Sequence, residues 1–186
     1  GPTFPNLDLL DVPGLVLNTA NNQEPELPQQ TRTLLESVIQ ETAGRAVYLM
    51  IRPHDPEFKN SNAFTLFTQI DTLQAFNTIN VTTKWDEVAG RAMPDKITRE
   101  LNSPENNQFY ASIFTSNPPE SSLQKQAHEE SLVFQESRIS ELVKAHSGQF
   151  GTNALVEQIS HLYTQFLRSD WYPTTASHIH REDEAI

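Results

Sequence analysis

A chain of 186 residues suits one domain, or one domain with an appendage, and can bury a sizeable core. Its formal net charge of -11 argues against general affinity for nucleic-acid phosphates and disfavours direct docking on anionic lipid. The absence of cysteine excludes disulfides and thiolate metal sites, and no apolar run approaches the ~20 residues of a membrane span.

Gly1-Pro2 has the form of a scar left by removal of a tag, so the natural start is expected to lie elsewhere. Leu7 to Leu10 reads as a short buried strand ending at Asp11, followed by a polar loop from Val16 to Leu27. Pro28 suits the first turn of a helix with an apolar stripe of Leu34, Leu35, Val38 and Ile39 and a C-cap at Gly44. Ala46 to Ile51 has the length and apolarity of a buried strand, which Pro53, Asp55 and Pro56 turn into a loop. Asn60 or Ser61 caps a helix whose stripe includes Ala63, Phe64, Phe67, Ile70 and Leu73. The β-branched run Thr78 to Thr82 predicts a strand, Pro94 to Leu101 a short helix, and Tyr110 to Phe114 another strand, before turn-rich Thr115 to Ser122. Two longer helices are expected over Gln124 to His146 and Thr152 to Arg168, separated by Gly148 and Gly151. The first carries an apolar face of Leu132, Phe134, Ile139, Leu142 and Val143. Trp85 is expected to pack beneath its own loop, and Trp171 and Tyr172 to pack on the domain.

Strand and helix alternate throughout, which predicts an α/β fold with a mostly parallel sheet flanked by helices. Ligands of such sheets sit beyond the carboxyl ends of the strands. Asp11, Asp86 and the Thr115-Ser116-Asn117 loop all fall at predicted carboxyl ends.

Two of these ends carry motifs. Asp11-Val12-Pro13-Gly14 has the Asp-x-x-Gly form that guanine-nucleotide switches use to sense Mg²⁺ and the terminal phosphate. Asp11 would reach the cation directly or through water, and Gly14 would offer its backbone N–H to the phosphate. Thr83-Lys84-Trp85-Asp86 has the Thr-Lys-x-Asp form that reads guanine. A fixed carboxylate at Asp86 accepts two adjacent donors of guanine, which adenine lacks, while the Lys84 stem lies along the base and the Thr83 hydroxyl ties the loop to its neighbour. Read alone, the first motif is also a strand followed by a Pro-Gly turn, and the second a polar turn with Asp86 as a helix cap. No Gly-x-x-x-x-Gly-Lys-Ser/Thr occurs in the 186 residues, so this chain does not itself carry a P-loop.

The chain resembles the carboxyl-terminal half of a dynamin-superfamily GTPase domain, of the dynamin and Mx-like kind. Leu10 to Leu15 is similar to that superfamily's Asp-Leu-Pro-Gly stretch, and Asn60 to Ala63 to its Ser-x-Ala stretch, with Pro56 a departure. Phe150-Gly151-Thr152-Asn153-Ala154-Leu155 resembles its Met-Gly-Thr-x-x-Leu. The resemblance implies residues 1–170 as the carboxyl-terminal portion of the GTPase domain and 171–186 as a tail leading toward a stalk helix. It also implies a cytoplasmic protein, peripherally attached to a membrane, that binds GTP and GDP with Mg²⁺. Such a parent hydrolyses GTP to drive membrane remodelling or oligomer assembly, and self-associates through GTPase domain and stalk, with no nucleic-acid partner.

By position, Asp11 and Gly14 become the Mg²⁺ and phosphate sensors, and Thr83, Lys84 and Asp86 the guanine readers. Ser116 and Asn117 would lie in the loop covering the base, where the pattern departs from the family's Asn-Arg-Ser. With the P-loop and switch threonine lying upstream in that family, the chain alone is expected to have little or no GTPase activity. The P-loop strand would sit between the Leu7 and Ala46 strands, and its absence calls for repair by direct pairing of the two, another chain or an upstream segment. The rival reading is a non-catalytic interaction module derived from the same fold.

Overall fold

A computed structural model describes residues 9–12, 26–54, 62–70, 77–85, 94–116, 130–135, 140–173 and 175–177. The chain divides into two units, Gly1–Glu41 and Thr42–Ile186. In the first, helix α1 (Leu27–Glu41) buries Thr31, Leu35 and Ile39 along one face. Thr31 donates its hydroxyl to the Leu27 carbonyl, and Arg32 pairs with Glu36 one turn on. Leu34, expected in the apolar stripe, is exposed; Thr31 takes its place because its satisfied hydroxyl leaves only a methyl to bury. Leu9 and Leu10 are exposed and outside any strand, contrary to the expected Leu7 strand over these two residues. A buried strand needs a paired neighbour and a covered face, and among the described residues no strand pairs with Leu9 or Leu10.

In the second unit the chain alternates β1 (Tyr48–Pro53), α2 (Asn62–Gln69), β2 (Thr78–Thr83), α3 (Pro94–Leu101) and β3 (Ala111–Phe114). The strands form a parallel sheet in the order β1-β2-β3, with Tyr48 opposite Thr78 and Ile79 opposite Ala111. Gly44 takes a φ of +67° in the turn that carries the chain from α1 toward β1, where an L side chain would be strained. Strand β1 starts two residues later than expected and runs through Arg52 to Pro53. Pro53 is tolerated because it closes the strand, and Arg52 because its guanidinium finds buried partners.

The period of two along β2 separates two kinds of core. Ile79 and Val81 point to one face, join Ile113 of β3, and pack on Leu162 of helix α5 (Thr152–Phe166), with Leu155 and Ile159 alongside. Asn80, on the opposite face, enters a buried polar network with Arg52, Asn106 and Ser112. Met50 on β1 packs with Phe64 and Phe67 of α2 and with Phe109. At the carboxyl edge a third cluster joins Trp85, Leu101, Phe114, Phe134 and Phe150.

Residues 130–135 and α4 (Ser140–Ala145) are helical, within the longer helix expected there. Phe134 is buried and Leu142 and Val143 partly so, as their spacing suggests, but Leu132 is 38% exposed because it lies off the side that meets Phe150. Ile139 lies outside the described residues. A π-helical turn (Leu167–Trp171) follows α5. Its wider turn takes the next side chains off the stripe of Ala154, Leu162 and Phe166. Trp171 and Tyr172 are accordingly 47% and 68% exposed, not packed on the domain as expected.

Candidate nucleotide-binding edge

The carboxyl ends of the three strands are tied together by backbone and hydroxyl hydrogen bonds. His54 N, just past β1, donates to Thr83 O at the end of β2 at 2.9 Å, and Thr83 Oγ1 donates to Arg52 O at 3.2 Å. Thr115 N, just past β3, donates to Thr82 O at 2.8 Å, and Trp85 N donates to Thr115 O at 3.3 Å. Thr83 therefore anchors the loop to its neighbour through its hydroxyl, the behaviour expected of it.

Between these anchors Lys84 adopts a φ of +66°, the one non-glycine residue with positive φ among those described. A long side chain rarely occupies that region, and it persists where surrounding contacts over-determine the backbone. Here they do: Thr83 is held to the β1 end by two hydrogen bonds and the Trp85 ring is fully buried, edge-on to Phe114 at 5.0 Å and to Phe150 at 5.7 Å. Lys84 is thereby lifted to the surface, exposed, on a rigid base. The Trp85 indole Nε1 and the Thr82 hydroxyl are buried without a hydrogen-bond partner.

Ser116 is 2% exposed, and its N–H donates to Glu130 Oε1 at 2.8 Å. The other oxygen of the same carboxylate accepts the N–H of Thr152, the first residue of α5, at 2.6 Å. Gly151 N donates to Phe114 O, and Phe150 bridges Phe114 in parallel. Glu130 thus fastens the loop after β3 to the start of α5, where an anion also suits the positive end of the helix. No motif marks this role, because Glu130 reads as one of many scattered acids.

Beneath the edge lies a second ionic assembly. Arg52 Nη2 meets Glu100 Oε1 of α3 at 3.1 Å, and Arg52 Nε donates to Asn80 Oδ1 at 3.2 Å. The remaining Glu100 oxygen stands 2.7 Å from His54 Nδ1, but neither of those buried atoms has a hydrogen-bond partner.

Of the residues picked from sequence, Thr83, Lys84 and Ser116 come together at adjacent strand ends. Asp11 is an exposed carboxylate in the other unit. Gly14, Asp86 and Asn117 lie outside the described residues. Asp11 offers the hard oxygen donor that Mg²⁺ prefers, though among the described residues no group of three or more His, Asp or Glu could hold a metal ion. No described helix is long and apolar enough to cross a membrane.

No family model matches the chain. Over 85 residues, 46% of its length, it is 32% identical to dynamin-3 of mouse, and equally to dynamin-3 of rat and of human. The match spans only 10% of the mouse protein and 9% of the other two. The similarity is dynamin-like and partial, and it accompanies an α/β fold with a three-stranded parallel sheet.

Proposed function

We propose that this chain is part of a dynamin-like GTPase and that the end of β2 reads the guanine base. Thr83 anchors the reading loop, Lys84 lies along the purine, and Asp86 accepts its paired donors. Ser116 and Asn117 cover the base from the end of β3. Asp11 and Gly14 sense Mg²⁺ and the terminal phosphate, the cation supplying charge neutralisation at the phosphates when nucleotide is bound. In the parent protein, GTP hydrolysis would drive membrane remodelling or oligomer assembly from the cytoplasm.

The observation that supports this best is the left-handed Lys84, held over a buried tryptophan where three parallel strands end. Strain kept at a loop of this sequence suits a site prepared for a ligand. The partial likeness to dynamin-3 agrees with it. The test is nucleotide competition on the polypeptide encoded with its upstream reading frame. Bound fluorescent GDP should be displaced by GTP and not by ATP. Equal displacement by both would refute guanine reading.

A further inference from the structure

The chain leaves β3 through a row of fixed backbone groups. Thr115 N–H donates to Thr82 O, Thr115 O accepts from Trp85 N–H, and Ser116 N–H donates to Glu130 Oε1 at 2.8 Å. The first two bonds join β3 to β2, whereas the third reaches a helical segment 14 residues further along. Glu130 is 3% exposed, and its other oxygen accepts Thr152 N–H at 2.6 Å at the amino end of α5. Gly151 N–H donates to Phe114 O, so the start of α5 is tied to β3 directly as well as through the carboxylate. One turn after Glu130, Phe134 packs edge-on to Phe150 at 5.3 Å and seats the same segment against this junction. Groups that bind a ligand must be held to within about 0.5 Å by residues that are themselves locked by packing and further hydrogen bonds. Glu130 meets that description toward Ser116: the carboxylate is fixed by α5 and by its own segment, and the loop is fixed to the carboxylate.

We propose that Glu130 is a positioning residue of the nucleotide site, setting where the loop after β3 stands against the Thr83–Trp85 loop. It acts through the Ser116 amide and carries the position of that loop to the start of α5. The functional meaning rests on the reading of these strand ends as a guanine site. The clasp of Ser116, Glu130 and Thr152 does not, so the two can fail separately.

The test compares wild type with Glu130→Ala, or with the milder Glu130→Gln where alanine prevents folding, since glutamine still gives up one of the two acceptors. In the 186-residue chain, hydrogen exchange is followed at the Ser116 and Thr152 amides, with the Val81 amide in the central strand reporting global opening. Both amides should exchange about tenfold or more faster in Glu130→Ala, relative to Val81. In the polypeptide carrying the upstream reading frame, fluorescent GDP should leave the variant about tenfold faster, with the preference for guanine over xanthine unchanged because Asp86 is intact. A merely structural Glu130 would lower stability and leave release from the folded protein as it was. Unchanged release in a variant that binds GDP, or a Ser116 amide that keeps its protection, therefore overturns the positioning role alone. A wild type that binds no guanine nucleotide refutes the site and the role together.

Discussion

Glu130 accepts from two backbone donors: the buried Ser116 amide and the leading amide of α5. A carboxylate is needed because both oxygens must accept, and an amide side chain supplies only one acceptor. Glu130→Ala should cost about 1–3 kcal/mol for each amide it strands, read as a lower urea midpoint. Beside it, Gly151 holds φ +92° and ψ +163°, a region open essentially to glycine. A Cβ there would meet Glu130 Oε2 at 3.5 Å, an ordinary contact, so the obstacle is the backbone rather than space. Gly151→Ala should therefore lower stability by about 1–3 kcal/mol without a cavity or clash, and calorimetric unfolding can check it. Gly151 was visible in sequence as a break between helices. Glu130 was not, because its partners lie 14 and 22 residues away.

At the scale of elements, β2 organises the second unit. Five of its six residues are buried, and its alternation gives an apolar face to α5 and a polar face to α3 and the turn Pro104–Gln108. A polar face at the centre of a sheet is stable only if it is fully paired. Arg52, Asn80 and Glu100 supply most of that pairing, at separations of 28 and 48 residues from Arg52, while the Thr82 hydroxyl on the same face has no hydrogen-bond partner. Glu100→Gln would remove the Glu100 charge from beside the buried Arg52 guanidinium. Its expected cost is roughly 3–5 kcal/mol in equilibrium unfolding, whereas a loss below about 1 kcal/mol would show the pair to be dispensable. The elements themselves were readable where local chemistry was strong. Thr78 to Thr82 is dense in β-branched residues, and Pro94 opens α3 where proline is welcome. The extension of β1 through Arg52 and the exposure of Leu34 and Leu132 were not readable, since each depends on which face a distant element covers.

At the scale of the molecule, the parallel order β1-β2-β3 puts three loops on one edge, and the sequence assigned two of those loops to one base. What was legible is placement, because a motif is local: Thr83, Lys84 and Ser116 do stand on neighbouring strand ends. The burial of Trp85 beneath its loop was legible too, but the backbone bonds that hold Thr83 and Trp85 on either side of Lys84 were not, because His54 and Thr115 come from other strand ends. The most direct measurement of the central claim is nucleotide preference in the polypeptide carrying the upstream reading frame, comparing wild type with Asp86→Asn. Removing the carboxylate should weaken guanosine diphosphate by roughly 1.5–3 kcal/mol and shift preference toward xanthosine diphosphate. An unchanged ratio of the two affinities would contradict guanine reading at the end of β2.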